Sequence, residues 1–318
     1  MTTKNKLILF FKSIVSLSLI YYLFITIPWG EVSKVVFSAS IYWLIISVLV
    51  QILSFIFLAL RWRIILRNSE SNISFYDIIK VSFIGIAVNN ILPGSIGGDF
   101  VRGAYIVKKG VSLKDSISSL VADRVLGLFI VLVFACTFLF FYGNKHPSLH
   151  HMNMIVIFMI LALLSIIFFF KTHVFMGLIK RVLNKILSSN FHNKTVSMIE
   201  DLYQYQISKH VVLKVFLMSI AATFLEILVF WLASKSLGMD YSFYIFIISV
   251  PLIVIISALP ISLGGFLVRE SSGLYLLNML GVEMIHASSI IILFIPILLF
   301  SSIPGIYFYL SLSDSAKH

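Results

Sequence analysis

LPGSIGGDFVR, residues 92–102, returns 167 positions later as LPISLGGFLVR, residues 259–269. Leu92, Pro93, Ser95, Gly97, Gly98, Val101 and Arg102 of the first copy match Leu259, Pro260, Ser262, Gly264, Gly265, Val268 and Arg269 of the second. A repeat of this kind constrains the architecture before any single helix does. Neither copy can be the middle of a regular helix, because Pro deletes a backbone donor and the Gly pair is permissive for turning. Each copy therefore breaks the helix leading into it. The stretch after the first break, FVRGAYIVKKGVSLKD, is too charged to cross lipid. The chain accordingly enters the membrane, turns at the motif and returns to the same side, as a re-entrant hairpin.

Outward from the motifs the chain is dominated by apolar runs. Its 318 residues are 60% hydrophobic and 12% charged, with a mean hydropathy of +1.05, which excludes an ordinary soluble fold. A bilayer core about 30 Å thick needs roughly 20 apolar residues per helical span. Such runs occupy residues 7–27, 41–60, 117–142, 153–170, 211–234 and 286–312, with shorter ones at 79–92 and 241–259. They are too long for the alternating strands of an outer-membrane barrel. The expected fold class is all-α: a polytopic membrane protein of six full spans and two re-entrant hairpins, the alternative being eight spans with unrelated Pro-Gly turns. Lys12 interrupts the first run and no small-residue cleavage site follows near Pro28, so it reads as a retained span.

With both termini cytoplasmic, all but four of the 24 Lys and Arg residues fall inside, the exceptions being Lys34, Lys145, Lys235 and Arg269. This asymmetry fits the positive-inside rule. The order span, span, hairpin, span then occurs twice with opposite orientation, over residues 7–142 and 154–312, within one membrane domain covering 1–318. Inverted repeats with broken helices characterise transporters whose site lies where the repeats meet. The cytoplasmic connection, residues 171–210, contains VFMGLIKRVLNKIL (174–187), which reads either as a helix on an anionic membrane surface or as a linker with a solvated face. Ser112 and Asp115 have capping-box spacing for the start of the helix that follows the first motif. Tyr21, Tyr22, Trp29, Tyr42 and Trp43 suit an interfacial aromatic belt.

A helix restarting inside the membrane presents free N–H groups and a positive end, which attract anions. Pro93, Ser95, Gly97, Gly98, Asp99 and Arg102 at one tip, with Pro260, Ser262, Gly264, Gly265, Arg269 and Glu270 at the other, are the candidate substrate-binding residues. Two tips entering from opposite leaflets would bring Arg102 and Arg269 to one anionic lipid headgroup. The competing reading is structural: Arg102 pairs with Asp99, and Arg269 with Glu270 or a distant carboxylate, holding the hairpins shut. Glu226, inside TFLEILVFW, must face the bundle interior, as a proton-coupling carboxylate or a static partner for an Arg. Asp123 and Arg124, at the cytoplasmic edge of a span, are weaker coupling candidates or simply an anchor. Cys136 is alone, so multi-cysteine metal sites and disulfides are excluded. His146, His150 and His151 have no carboxylate or cysteine nearby, and neither a Walker A nor a G-x-S-x-G element occurs. No cofactor and no catalytic constellation are expected.

NNILPGSIGGDFVRGAYIVKKG, SLVADRVLGL, ALPISLGGFLVRESSGLYLL and Arg61-Trp62 together resemble the lysylphosphatidylglycerol synthase transmembrane-region family, whose members are also called flippase-like. The resemblance covers nearly the whole chain. It implies a multi-pass cytoplasmic-membrane protein that translocates lipids: a phospholipid, an aminoacyl-phospholipid or a polyprenyl-phosphate glycolipid. Membrane lipids are the implied partners, with a lipid-modifying or glycosyltransferase enzyme as a further one and no nucleic acid. An integral-membrane transferase and a scaffold for glycosyltransferases are the competing classes. The namesake's soluble aminoacyl-transferase domain has no room before His318, so synthase activity is not implied. Ile295 and Pro296 stand where the family often carries an Arg in the last span, and Pro296 and Pro304 are expected to kink it.

The topology is tested with Lys108→Cys and Glu283→Cys, each in a Cys136→Ala background. Opposite hairpin entry predicts that a membrane-impermeant thiol reagent modifies Lys108→Cys only from the cytoplasmic face and Glu283→Cys only from the external face.

Overall fold

The computed structural model describes residues 3–66, 73–91, 97–142, 154–161, 164, 209–258 and 266–315. Eleven helices carry labels here, and no strand occurs among the described residues. They are α1 (Thr3–Thr26), α2 (Trp29–Phe37), α3 (Ile41–Leu66), α4 (Phe75–Ile91), α5 (Gly97–Lys108), α6 (Leu113–Tyr142), α7 (Lys209–Ser236), α8 (Phe243–Ser257), α9 (Phe266–Met279), α10 (Met284–Ser301) and α11 (Ile303–Ser315). Residues 154–161 are helical as well. The molecule is an all-α, polytopic membrane protein.

Helices α3, α6 and α7, and α10 continued by α11, are each long and apolar enough to span; α1 with α2 makes a further bent pair. Only 28% of the best apolar window of α3 is buried inside the protein, against 56% for α10–α11. Leu17, Phe24, Ile41, Ile45 and Leu49 are correspondingly exposed. Lipid is as apolar as these side chains, so facing it costs nothing. Between α1 and α2 the chain bends by 78° at Ile27–Pro28. Pro28 has no N–H to continue the ladder, and Trp29 Nε1 donates to Phe24 O across the corner at 3.1 Å. Tyr21, Trp29 and Tyr42 are exposed around this corner.

The second span extends beyond the apolar run that marks it, through Arg61 to Leu66. Trp62, Ile65 and Leu66, at 0–1% exposure, hold that last turn in the core. The most extensive helix contact joins α3 to α7. Ser54 Oγ donates to Ala222 O at 3.2 Å and Arg61 Nη1 to Ser219 Oγ at 3.3 Å. Residue numbers rise on α3 as they fall on α7, so the two are antiparallel. An interhelical hydrogen bond in a membrane is worth only about 0.6 kcal/mol on average, which leaves packing as the main cohesive term.

Both motif regions sit between helices that fold back on each other: α4 packs on α5, and α8 on α9. The motif residues Pro93, Ser95, Pro260, Ser262, Gly264 and Gly265 lie outside the described residues, as do the segment 174–187 and His146, His150 and His151. The returning limbs end alike. Gly110 (φ 93°) and Gly281 (φ 89°) follow α5 and α9 in the left-handed region. Val111 N–H then donates to Ile106 O, and Val282 N–H to Leu277 O, which is the Schellman closure. Ser112 caps α6 as its spacing predicts, accepting from Asp115 N–H at 3.0 Å and donating to Asp115 Oδ2 at 2.7 Å. Packing also joins α4 to α11, α8 to α6, α3 to α10 and α7 to α6. Outside the spans, the hydrogen bond from Lys235 holds the exposed Asp240 carboxyl below its usual range.

Pro296 lies inside α10, and a short break at Ser302 precedes Pro304 in α11. At Gly305 a Cβ would fall 2.1 Å from Phe83 O, so α11 rests directly on the α4 backbone. Gly305→Ala should cost about 1–3 kcal/mol by overpacking and lower the thermal midpoint of the detergent-purified protein. Gly30→Ala, with no atom within 4 Å of its Cβ, should leave that midpoint unchanged.

Candidate functional site

Three helices bring charged groups together, and a fourth adds a hydroxyl. Arg61 and Trp62 come from α3, Asp99 and Arg102 from α5, Asp123 and Arg124 from α6, and Ser219 from α7. Arg61 Nε donates to Asp123 Oδ1 at 2.7 Å, and Arg102 Nη2 lies 3.6 Å from Asp123 Oδ2. Asp123, which the sequence presents as an edge anchor, is therefore buried between two guanidinium groups, at 4% exposure. Arg102 Nη1 also donates to Asp99 Oδ1 at 3.2 Å, while Arg124 Nε and Nη2 each reach Asp99 Oδ2 at 2.8 Å. Three arginines thus face two aspartates.

Small residues make the arrangement possible. A Cβ at Gly127 would lie 2.7 Å from Arg61 Nη1, and one at Gly85 would lie 2.9 Å from Arg102 Cγ and Cδ. The Arg102 guanidinium lies 4.0 Å from the Trp62 ring centroid, a favourable cation–π distance. Trp62 Nε1 in turn donates to Ser119 Oγ at 3.3 Å. Arg102 Nε is buried with no acceptor among the described residues. Gly98 N–H, a donor expected to face an anion, instead donates to Asn89 Oδ1 at 2.7 Å. A Cβ on Gly98 would fall 2.0 Å from Gly85 O, so the limbs touch backbone to backbone. Gly97, at the start of α5, packs beside Val88.

The second motif builds a separate cluster. Arg269 Nε donates to Glu270 Oε1 at 3.1 Å, with Nη2 on the same oxygen at 2.5 Å. The guanidinium lies 5.2 Å from the Phe294 ring. Glu270 is 3% exposed. Glu226, on α7, feels the Arg269 charge. Among the described residues Arg102 and Arg269 share no carboxylate: the first meets Asp99 and Asp123, the second Glu270. Both pairings that the structural reading of the sequence anticipated, Arg102 with Asp99 and Arg269 with Glu270, are formed.

A family-level sequence comparison identifies the lineage: the pattern of the lysylphosphatidylglycerol synthase TM region matches residues 9–305. The chain belongs to that family. A UPF0104 membrane protein of Pyrococcus horikoshii is 30% identical over 145 residues, 45% of this chain and 42% of that protein. One from Methanothermobacter thermautotrophicus is 32% identical over 98 residues, 30% of this chain and 28% of its own length. With both, the match spans less than half of the relative. A UPF0104 membrane protein of Methanocaldococcus jannaschii is 26% identical over 284 residues, covering 83% of this chain and 81% of that one.

In this lysylphosphatidylglycerol synthase TM region protein, several site residues carry little signal in the sequence. Asn89 and Ser219 are ordinary polar residues in apolar helices; Asn90, which donates to Ser302 Oγ at 2.8 Å, is another. Arg61 could have been found from its place in an unbroken hydrophobic helix, since an intramembrane Arg needs a partner. A crevice of about 360 Å³ between α3 and α10, lined by apolar side chains that include Ile41, Leu44, Val48, Pro296 and Phe300, shares no lining residue with either cluster.

Removing one partner of a buried ion pair costs about 3–5 kcal/mol, because the other charge is stranded. Asp123→Asn should therefore lower the thermal midpoint sharply. Arg61→Met combined with Asp123→Leu should cost less than the sum of the two single changes, measured by thermal unfolding in one detergent.

Proposed function

We propose that this protein moves a lipid with an anionic headgroup across the cell membrane, and that the Arg61, Arg102 and Arg124 cluster receives the headgroup phosphate. The observation that carries this reading is Arg102 Nε, a guanidinium donor buried with no acceptor among the described residues, in a cluster that also holds Arg61 and Arg124. A buried donor at membrane depth is unfavourable until an acceptor joins it, and a headgroup phosphate supplies one. Asp99 and Asp123 hold the guanidinium groups in place and yield them to a phosphate, whose several oxygens can accept from more than one planar guanidinium fork at once. Because both aspartates already neutralise arginines, neither is placed as the free base a transferase would need.

The inverted repeat gives the movement its form. Its support is the pairing of contacts: α4 packs on α11 as α8 packs on α6, α5 on α6 as α9 on α10, and α3 on α10 as α7 on α6. The most extensive contact, α3 on α7, joins the second spans of the two repeats. The two Arg motifs then serve opposite faces in alternation, the first cluster facing the cytoplasm with both termini. An accompanying glycosyltransferase or lipid-modifying enzyme would supply or consume the lipid.

Arg102→Gln removes charge-assisted hydrogen bonds worth about 1.5–3 kcal/mol. It should weaken binding of a phosphate-bearing lipid by roughly 10- to 100-fold in nanodisc titrations, and slow labelled-lipid movement in proteoliposomes. Arg102→Lys should recover part of the loss, since it keeps the charge without the fork. Chemical conversion of the lipid instead of movement would assign a transferase; neither movement nor conversion by the purified protein would assign a scaffold.

A further inference from the structure

Arg269 serves two carboxylates. Glu270 takes the guanidinium directly, through Nε and Nη2, while Glu226 feels the same charge from α7 and has no hydrogen bond or ion pair of its own among the described residues. Glu226 lies in the eighteenth position of a 28-residue span, with apolar turns on both sides. Among the described residues this cluster sets one guanidinium beside two carboxylates.

The surrounding helices do not correct it. From α8 the titratable side chain is Tyr244, and from α10 it is His286 at the outer end, held by Tyr241 at 2.7 Å. From α3 and α6 the nearest ionised groups along α7 are Arg61 and Asp123, paired with each other at the level of Ser219, two turns below Glu226. α1, which packs on α9, carries Lys4, Lys6 and Lys12 in its first three turns and Tyr21 and Tyr22 near its end.

A second observation points to the same place. α3 and α7 are antiparallel with Ser54 on Ala222, so one turn further along, Gln51 of α3 falls level with Glu226 of α7. Gln51 is 2% exposed, and its Oε1 is buried with no donor among the described residues. A buried amide oxygen needs a donor; an ionised glutamate cannot provide one, and a protonated glutamate can.

We propose that Glu226, Glu270 and Arg269 form an intramembrane proton-binding site, in which Glu270 is ionised against the guanidinium and Glu226 carries the proton and offers it to Gln51 Oε1. The proton comes from water and returns to water, one per site, so no further reactant is needed. Combined with the proposed lipid movement, the site supplies a coupling ion; as a proton site it stands on its own residues.

The experiment is infrared titration of the purified protein in lipid, following the C=O stretch of a protonated carboxylic acid from about pH 5 to about pH 9, the range in which a desolvated glutamate titrates. The wild type should retain this band at neutral pH, and Glu226→Gln should abolish it. Glu270→Gln releases Arg269 to Glu226 and should move the loss of the band to lower pH, and this shift decides the matter if Glu226→Gln does not fold. Absence of the band in the wild type at neutral pH, its persistence in folded Glu226→Gln, or an unshifted titration in Glu270→Gln would each overturn the proposal. No transported lipid enters the measurement. Failure here therefore leaves the lipid reading of the first cluster standing, and loss of lipid binding by Arg102→Gln leaves this band in place.

Discussion

The pairing of Arg61 and Arg102 with one buried carboxylate, Asp123, organises the structure around it. A guanidinium at this depth is tolerated only with partners, and Asp123 brings α3, α5 and α6 to a single point. Much of the nearby sequence then follows from space. Gly85 and Gly127 leave room for the two arginine side chains, and Trp62 presents its face to Arg102. The second span runs on past its apolar stretch because the Arg61 charge is satisfied inside the bundle, while Trp62, Ile65 and Leu66 are buried around it.

The two motif copies share a backbone plan and differ in charge. Aligned by the repeat, Asp99 corresponds to Phe266 and Gly103 to Glu270. The first arginine thus acquires a carboxylate one turn before it, the second a carboxylate immediately after it. Their neighbours widen the difference: α3 and α6 add two further arginines at the first site, and α7 adds a glutamate at the second. Among the described residues the first site sets three guanidinium groups beside two carboxylates, and the second sets one guanidinium beside two.

Much of the fold was legible because membrane folding is governed by a few strong rules. Every backbone polar group must be satisfied within its own helix, so long apolar runs become spans. Ser112 with Asp115 fixed a helix start by local hydrogen bonding alone. The ends of spans were less legible. At Leu66 the boundary follows from tertiary burial, and the 78° corner at Pro28 turned residues beyond the first apolar run into a separate helix.

For the candidate sites the division is sharper. The sequence by itself determined that the protein is a helical membrane protein with a duplicated broken-helix motif, and that Arg102, Arg269 and Glu226 are charges requiring partners. Spacing along one chain exposes such facts, since hydropathy and helix breaking are local properties. Only the tertiary structure decided which partners they find. Asp123 became the hub because Arg61 and Arg102, 62 and 21 residues away in sequence, arrive on other helices. Gly98 N–H was claimed by Asn89, and Arg102 and Arg269 took different carboxylates. The physical reason is that an ion pair forms between whichever groups packing brings within a few ångströms, and packing of helices distant in the chain is not written in the spacing of any one of them.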